Sequence, residues 1–225
     1  MTDTYTIDET WEVKRSRFSR VELRDIVIAM VVLSVAFAIL YRNNSIMDYL
    51  EYHLEGAAAW VALFATCLVL VFFSFLLHEL GHKFTAQNYG MRSEFRMSPA
   101  SLVITLVTSA FGFLFAAPGA VVVQGYPDKD ANGKISLAGP VVNIVLSAVG
   151  IAGCLLTNYS SAVLFFSMFA YLNAFLAFFN LLPIPPLDGS KIWKWNVAVY
   201  VAVFAIAIVE LAYLYVGMPD LYYTY

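Results

Sequence analysis

Charged residues are scarce in this chain of 225 residues, because Asp, Glu, Lys and Arg together make up only 13% of it. Hydrophobic residues account for 61%, well above the roughly one half that is usual for soluble globular domains. The composition therefore excludes an ordinary soluble protein and indicates a multi-pass membrane protein. At about 20 residues for each membrane crossing, five or six spans leave little of the chain for a separate soluble domain.

Cysteine and histidine are also scarce. The two cysteines, Cys67 and Cys154, each lie in a predicted span without a neighbouring cysteine or histidine. This spacing argues against a disulfide framework or a thiolate metal site, and we interpret both as small buried residues. Of the three histidines, His53 lies in a polar connection and is predicted to be solvated. No internal repeat indicates a transporter built from two halves.

Five apolar runs predict membrane spans. They cover residues 26–41, 57–77, 135–156, 162–182 and 195–216. Ser19 and Glu22 form a capping-box pattern, which predicts that the first helix begins at Ser19. Together with the segment described next, these runs predict an all-α polytopic membrane protein with about five transmembrane helices and a re-entrant, β-hairpin-like membrane segment. We divide the chain into a polar cytoplasmic tail (1–18), a first helix with its outer loop (19–56), a catalytic membrane core (57–194) and a last helix with its tail (195–225).

The apolar stretch at 98–123 differs from the other runs. It is interrupted by Gly112 and by Pro118-Gly119, and it has β-branched clusters at Val103-Ile104 and at Val121 to Val123. These features favour a re-entrant hairpin over a continuous transmembrane helix.

Lysine and arginine concentrate in short cytoplasmic loops of membrane proteins. If 98–123 is re-entrant, twelve of the thirteen Lys and Arg residues lie on one side, and only Arg42 lies on the other. If 98–123 is a full crossing, the ratio falls to eight against five, because four lysines change sides: Lys129, Lys134, Lys191 and Lys194. The re-entrant arrangement is therefore preferred. It predicts a cytoplasmic N-terminus, and we expect the protein to reside in a prokaryotic cell membrane.

The sequence HELGH places His78, Glu79 and His82 at the end of the second apolar run. Two histidines four residues apart lie on one face of a helix, where both imidazoles can bind one ion. In the H-E-x-x-H pattern of zinc hydrolases the glutamate acts as general base. Ionisable groups inside a membrane span are rare and usually functional, so this position favours a metal site.

A catalytic zinc ion generally takes three protein ligands. The acidic candidates close to a span are Asp25, Glu210 and Asp188. Asp188 follows a proline-rich break, NLLPIPPLDGS, and broken backbone at membrane depth is tolerated where it lines a cavity. In the re-entrant topology Asp188 also lies on the same side of the membrane as His78, which favours it as the third ligand.

Three motifs, HELGH at 78–82, AGPVVN at 138–143 and NLLPIPPLDG at 180–189, resemble those of the site-2 protease family of intramembrane zinc metalloproteases. The resemblance covers residues 57–194 and implies a core of three helices with a membrane-embedded β region. Ser190 stands where the family usually has a second glycine. The resemblance further implies one catalytic Zn²⁺, with the metal ligands His78, His82 and Asp188. It also implies Glu79 as general base and makes Asn143 a candidate catalytic residue that binds the substrate backbone or the developing oxyanion.

These observations predict a zinc metalloendopeptidase that hydrolyses peptide bonds of transmembrane proteins near the cytoplasmic side of the bilayer, as in regulated intramembrane proteolysis. The expected partners are a transmembrane protein substrate and the lipid bilayer, with no nucleic acid. We expect water to enter between the stretch 83–96 and the Asp188 loop, and a strand of the hairpin to pair with unwound substrate. A catalytically inactive metal-binding scaffold is the alternative, although Glu79 would have no use there. The other asparagines near the site, Asn173 and Asn180, are predicted to be structural, and Asn180 could orient the Asp188 loop.

Overall fold

The structure is a computed structural model, and it describes residues 18–43, 45–114 and 118–217. Its first helices are α1 (Arg20–Tyr41), α2 (Ser45–His53), α3 (Ala57–Val71) and α4 (Leu77–Asn88). Strands β1 (Arg92–Met97) and β2 (Gly119–Gln124) flank helix α5 (Pro99–Ala110). The remaining helices are α6 (Lys129–Leu156), α7 (Ser160–Asn180), α8 (Asp188–Trp195) and α9 (Val197–Gly217).

In the described part of the chain, five helical segments are long and apolar enough to cross a membrane. They are Arg20–Tyr41, Ala57–Asn88, Lys129–Leu156, Ser160–Asn180 and Val197–Val216. This confirms the five predicted spans and the all-α polytopic fold of an integral membrane protein. The third span begins earlier than predicted, because the Asp128 side chain accepts a hydrogen bond from the N–H of Ala131 at 2.7 Å and so caps α6.

The second span contains a π-helical turn, Phe72–Leu76, which joins α3 to α4. Such single turns insert an extra residue into an α-helix and occur frequently at functional sites. The turn buries Ser74 completely, and its carbonyl accepts a hydrogen bond from Asn143 on α6. The sequence does not indicate this turn, because its five residues, FFSFL, are as apolar as the helix around them.

Strands β1 and β2 form an antiparallel pair in which Arg92 lies opposite Gln124 and Met97 opposite Gly119. The N–H of Ser98 donates to the carbonyl of Pro118 at 2.8 Å. The intervening segment thus returns to the point that it left, which is the geometry of a re-entrant hairpin and not of a full crossing.

One part of the hairpin prediction is wrong, because Val103 and Ile104 lie on helix α5 and not on a strand. The Ser98 side chain accepts from the N–H of Ser101, and Pro99 occupies the first turn, where it costs no hydrogen bond. These start signals override the β-propensity of the two branched residues. The strand that pairs with Val121 to Val123 is the more polar β1, which precedes the predicted segment.

Helix α6 packs against both α4 and α7, and α1 packs against α3, α5 and β1. Helices α6 and α7 lie close together at Gly150, where a Cβ would lie 2.8 Å from the Cβ of Ala170. Close packing of small residues is the usual way in which membrane helices associate. The packing of these helices places the motifs HELGH, AGPVVN and NLLPIPPLDG together around the N-terminal half of α4.

Candidate active site

His78, His82 and Asp188 lie together although 106 residues separate the last two. The His82 Nε2 atom lies 3.0 Å from His78 Nε2 and 3.1 Å from Asp188 Oδ2, and the third side of this triangle is 3.5 Å. Ligand atoms bound tetrahedrally to zinc lie roughly 3.3 to 3.5 Å apart, given the usual bond lengths. The triangle therefore fits a zinc ion within a few tenths of an ångström and leaves a fourth position.

The His78 imidazole is held by Asn143, whose Oδ1 atom lies 2.5 Å from His78 Nδ1. The orientation of this amide is determined by its nitrogen, which donates to the Ser74 carbonyl at 3.0 Å and to Asn173 Oδ1 at 2.8 Å. Asn173 in turn donates to the Phe169 carbonyl and to Ser74 Oγ. Because a carbonyl can only accept, this chain of bonds places an acceptor against His78 Nδ1.

The His82 imidazole is held by the main-chain carbonyl of Ile135, which lies 2.7 Å from His82 Nδ1. Both histidines thus face an acceptor with Nδ1, so each neutral ring carries its proton there and presents the lone pair of Nε2 to the other ring. Two lone pairs at 3.0 Å repel each other unless a proton or a cation lies between them. This arrangement fits a metal ion.

Gly139 of the AGPVVN motif lies directly against the two imidazoles. A Cβ at this position would collide with Nε2 of both His82 and His78. The absence of a side chain lets the α6 backbone approach the ligands and leaves a space that the metal requires. The Gly at this position is thus explained by the site itself and not by helix geometry.

Asp188 begins helix α8, directly after the proline-rich break. Gly189 permits this position, because a Cβ there would collide with the carbonyl oxygens of Leu181 and Leu182. Burial opposes ionisation of the Asp188 carboxyl, whereas positive charge at the adjacent His82 and His78 holds its pKa below the usual range. A cation in the triangle would supply such charge and favour the carboxylate form. Ser190, the departure from the family pattern, is accommodated without a positive φ and donates its hydroxyl to the Leu187 carbonyl at 2.8 Å.

Helix α8 is docked on the start of α6 by Trp195. Its ring lies against Gly133, where a Cβ would collide with it, and its Nε1–H donates to Asp130 at 2.9 Å. Ile192, completely buried, fills the space between α8 and the end of α7. These contacts fix α8, and with it Asp188, relative to the two histidines.

Glu79 is buried beside the triangle, and the main-chain N–H of Val121 on β2 lies beside its carboxylate. Its Oε2 atom has no partner among the residues that the structure describes. Glu79 and Val121 border a cavity of about 350 Å³ that is also lined by all three candidate ligands. A buried carboxylate with a free oxygen, next to a metal triangle, is placed to accept a proton from water.

The remaining candidates from the sequence lie elsewhere. Asp25 pairs with Arg24 at 2.8 Å, Glu210 on α9 lies against Ser147, and His53 is exposed on α2. The side chain of Asn180 bonds only the Leu176 carbonyl among the bonds found in the described chain, so the loop is held without it. In the described ranges, the triangle is the one group of His, Cys, Asp and Glu that could hold a metal.

Two features of the site were missed by the sequence analysis. The first is the Ser74–Asn173 pair behind Asn143, whose members lie 99 residues apart. The second is a buried ion pair between Glu22 and Lys83. Lysine directly after a ligand histidine, and a chain of asparagines on successive helices, are the only signals that the sequence contained.

Comparisons with known proteins agree with this geometry. The family model of peptidase family M50 matches residues 66–160 and 157–217, together more than half of the chain. "Putative zinc metalloprotease MJ0611" of Methanocaldococcus jannaschii is 38% identical over 80% of this chain and 87% of its own length. "Putative zinc metalloprotease YwhC" of Bacillus subtilis is 31% identical over 56% of this chain and 66% of its own length.

"Zinc metalloprotease MJ0392" of Methanocaldococcus jannaschii is 28% identical over 77% of this chain, which spans 41% of that protein. No solved structure matches the chain significantly. The zinc-ligand triangle, the adjacent glutamate and these similarities agree with one another. The chain belongs to peptidase family M50, the site-2 protease family, and is a membrane-embedded zinc metalloprotease.

Proposed function

We propose that this zinc metalloprotease hydrolyses peptide bonds within transmembrane segments of other proteins, near the cytoplasmic side of the bilayer, as in regulated intramembrane proteolysis. One observation carries the proposal: His78, Glu79 and His82 lie on a helical segment, Ala57–Asn88, that is long and apolar enough to cross the membrane. The reacting atoms therefore lie among membrane helices, where membrane-embedded polypeptide is the available substrate.

The chain supplies the groups that such hydrolysis requires. Zinc, when held by His78, His82 and Asp188, acidifies water and polarises a carbonyl group. Glu79 accepts the proton of the attacking water on its free oxygen and delivers it to the leaving amine nitrogen. Asn143 and the Ile135 carbonyl keep the two imidazoles oriented while charge develops.

Polar side chains of α6 and α8 line the cavity, among them Asn132, Ser136 and Lys191. Water can reach the site along them. The sequence predicts a mouth at 83–96 and the Asp188 loop, but the Lys83 side chain is buried against Glu22 and is not part of the lining. We therefore assign the water path to the side of α6 and α8.

The substrate must present an extended segment, because a helix hides its amides in internal hydrogen bonds. The outer edge of β2 offers such a segment a partner. Phe95, opposite Val121, donates its N–H to Glu22 and thus faces away from β2. In an antiparallel pair the opposite residue likewise faces outward, so the backbone groups of Gly119, Val121 and Val123 face the cavity that they line. Strand addition at this edge places a peptide next to Glu79.

The distribution of charge along the sequence supports one orientation. Counted for the re-entrant arrangement, the sequence has twelve Lys and Arg residues on one side and Arg42 on the other. We propose that the first side, with the N-terminus, is cytoplasmic. The relatives named above come from prokaryotes, which supports a prokaryotic cell membrane.

The test uses the purified full-length chain in lipid vesicles with a tagged single-span membrane protein. We expect two products whose masses locate the cut inside the apolar segment. Cleavage should stop when zinc is removed with a chelator and resume when zinc is added. A cut confined to the extramembrane part of the substrate would contradict the proposed substrate class.

Bound zinc without cleavage of any single-span substrate would favour the alternative, a membrane scaffold that binds metal without turnover. Glu79 gives this alternative little support, because its buried, partly unpaired carboxylate contributes nothing to metal binding.

A further inference from the structure

A buried ion pair lies behind the site. The Glu22 side chain on α1 is completely buried and Lys83 on α4 is only 1% exposed. Lys83 Nζ donates to both carboxylate oxygens of Glu22, at 2.7 and 2.8 Å, and to the carbonyl of Ser93 at 2.9 Å. All three protons of the ammonium group are therefore used.

This pair joins two helices to strand β1. Glu22 also accepts the N–H of Phe95 at 3.0 Å, and the Ser93 hydroxyl donates back to the Lys83 carbonyl at 3.0 Å. We refer to Glu22, Lys83 and Ser93 as the clamp. One turn further along α1, Asp25 lies 3.4 Å from the N–H of Met97. The outer edge of β1 is thus occupied by side chains of α1 and α4, and no peptide can add there.

Stability alone gives little reason for such a pair. Desolvation of two charges offsets most or all of their attraction, so apolar residues of similar volume often stabilise a fold equally well. A buried pair is better suited to fixing one arrangement among several, because each charge is costly in any other position. Here the arrangement that it fixes is the position of the sheet along α4.

The position of the sheet matters because β2 reaches the catalytic base. Val121 lies opposite Phe95, which the clamp holds, and its N–H lies beside the Glu79 carboxylate in the wall of the same cavity. On the α4 side, Lys83 directly follows the ligand His82. The clamp therefore sets the register of the β2 edge against both the base and the metal ligands.

We propose that the clamp is a positioning device that determines which peptide bond of a strand-paired substrate lies over the zinc site. Glu22, Lys83 and Ser93 do not touch the substrate, and they act through the register of β1 and β2. The inference rests on the proposed function, since it concerns the bond that is cut.

The test removes the clamp without leaving a lone buried charge. The double variant Glu22→Gln/Lys83→Met is neutral and similar in volume, so we expect it to fold and to bind zinc. The matched control is Glu94→Gln, which makes the same chemical change in a partly exposed ion pair with Arg96 on β1.

The first readout is hydrogen exchange and needs no substrate. We expect amides of 92–97 and 119–124 to exchange about tenfold faster or more in the double variant, with 160–180 unchanged and the control like wild type. Sheet exchange equal to wild type would overturn the proposal. If the double variant fails to fold, Glu22→Asp, which keeps the charge but shortens the side chain, is measured in the same way.

The second readout is the mass of each cleavage product. We expect wild type and Glu94→Gln to cut one bond, and the double variant to spread its cuts over neighbouring bonds while its zinc content stays unchanged. A single, unshifted cut at the wild-type rate would refute the positioning role of the clamp without contradicting the proposed protease function. Absence of cleavage by wild type would instead refute the proposed function, and with it the proposal that the clamp determines which bond is cut.

Discussion

At the scale of single residues, Asn143 connects the ligand His78, on the second span, to helices α6 and α7. Its oxygen bonds His78, its nitrogen bonds Ser74 and Asn173, and its side chain is fully buried. The sequence analysis made Asn143 a candidate for binding the substrate or the oxyanion. In this structure its polar atoms are already engaged, which favours a role through His78.

Replacing Asn143 with Ala should separate these two roles. We expect zinc affinity to fall about 10- to 100-fold, the usual cost of losing the partner of a ligand histidine. The measurement is competition for zinc with a chelator, and Asn180→Ala, which loses only a bond to its own helix, is the control. Unchanged zinc affinity with lost cleavage would show that Asn143 acts on the substrate.

Gly139→Ala should remove the metal site, because the new Cβ collides with Nε2 of both histidines. We expect a loss of zinc affinity larger than the about 10- to 100-fold caused by a lost hydrogen-bond partner. Gly153→Ala in the same helix meets the Phe166 ring and should lower thermal stability while zinc stays bound. Full zinc binding by Gly139→Ala would contradict the assigned geometry.

The sequence predicts these residues unequally, for a physical reason. HELGH could be recognised because helix geometry alone brings residues four apart together. Glu22 illustrates the opposite case: the capping-box prediction holds for Ser19, which accepts from the Glu22 N–H. It is wrong for the Glu22 side chain, which pairs with a lysine 61 residues away. The buried ammonium group of Lys83 binds the Glu22 carboxylate more strongly than an N–H at the start of the helix would. The residues around Glu22 in the sequence give no indication of this distant partner.

At the scale of elements, the exposed edge of β2 can be tested with proline. Val123→Pro removes an N–H that faces the cavity and is not the one beside Glu79, and proline is tolerated at a strand edge. We expect intact zinc binding and a cleavage rate reduced about tenfold through loss of a substrate hydrogen bond.

The matched variant is Val122→Pro, whose N–H faces β1 according to the alternation along the strand. We expect it to disrupt the sheet, which hydrogen exchange of 92–97 would detect. Equal and unimpaired cleavage by Val123→Pro would exclude strand addition at this edge.

Elements were predictable where their signals agreed. The five spans follow from apolar length alone. The re-entrant segment did not, because branched residues at Val103 and Ile104 favoured a strand while Ser98 and Pro99 favoured a helix start. Residues 103 and 104 lie on helix α5, and the strand that pairs with β2 is β1. Glu22, Lys83 and β2 bind the polar backbone groups of β1.

At the scale of the whole molecule, the proposed topology can be tested by cysteine labelling. In a background with Cys67 and Cys154 replaced by Ala, single cysteines are placed at Tyr52 and Tyr126, both highly exposed. An impermeant maleimide added outside intact cells should label Tyr52→Cys and not Tyr126→Cys. Labelling of Tyr126→Cys from outside would mean that the hairpin crosses the membrane or that the orientation is reversed.

The central claim is that Glu79 is the base of a zinc-dependent hydrolysis inside the membrane. The most direct measurement compares wild type with Glu79→Gln for both cleavage of a single-span protein and bound zinc. We predict equal zinc in both and a cleavage rate at least about 10²-fold lower in the variant, the usual contribution of a general base. Equal cleavage by wild type and Glu79→Gln would contradict the account.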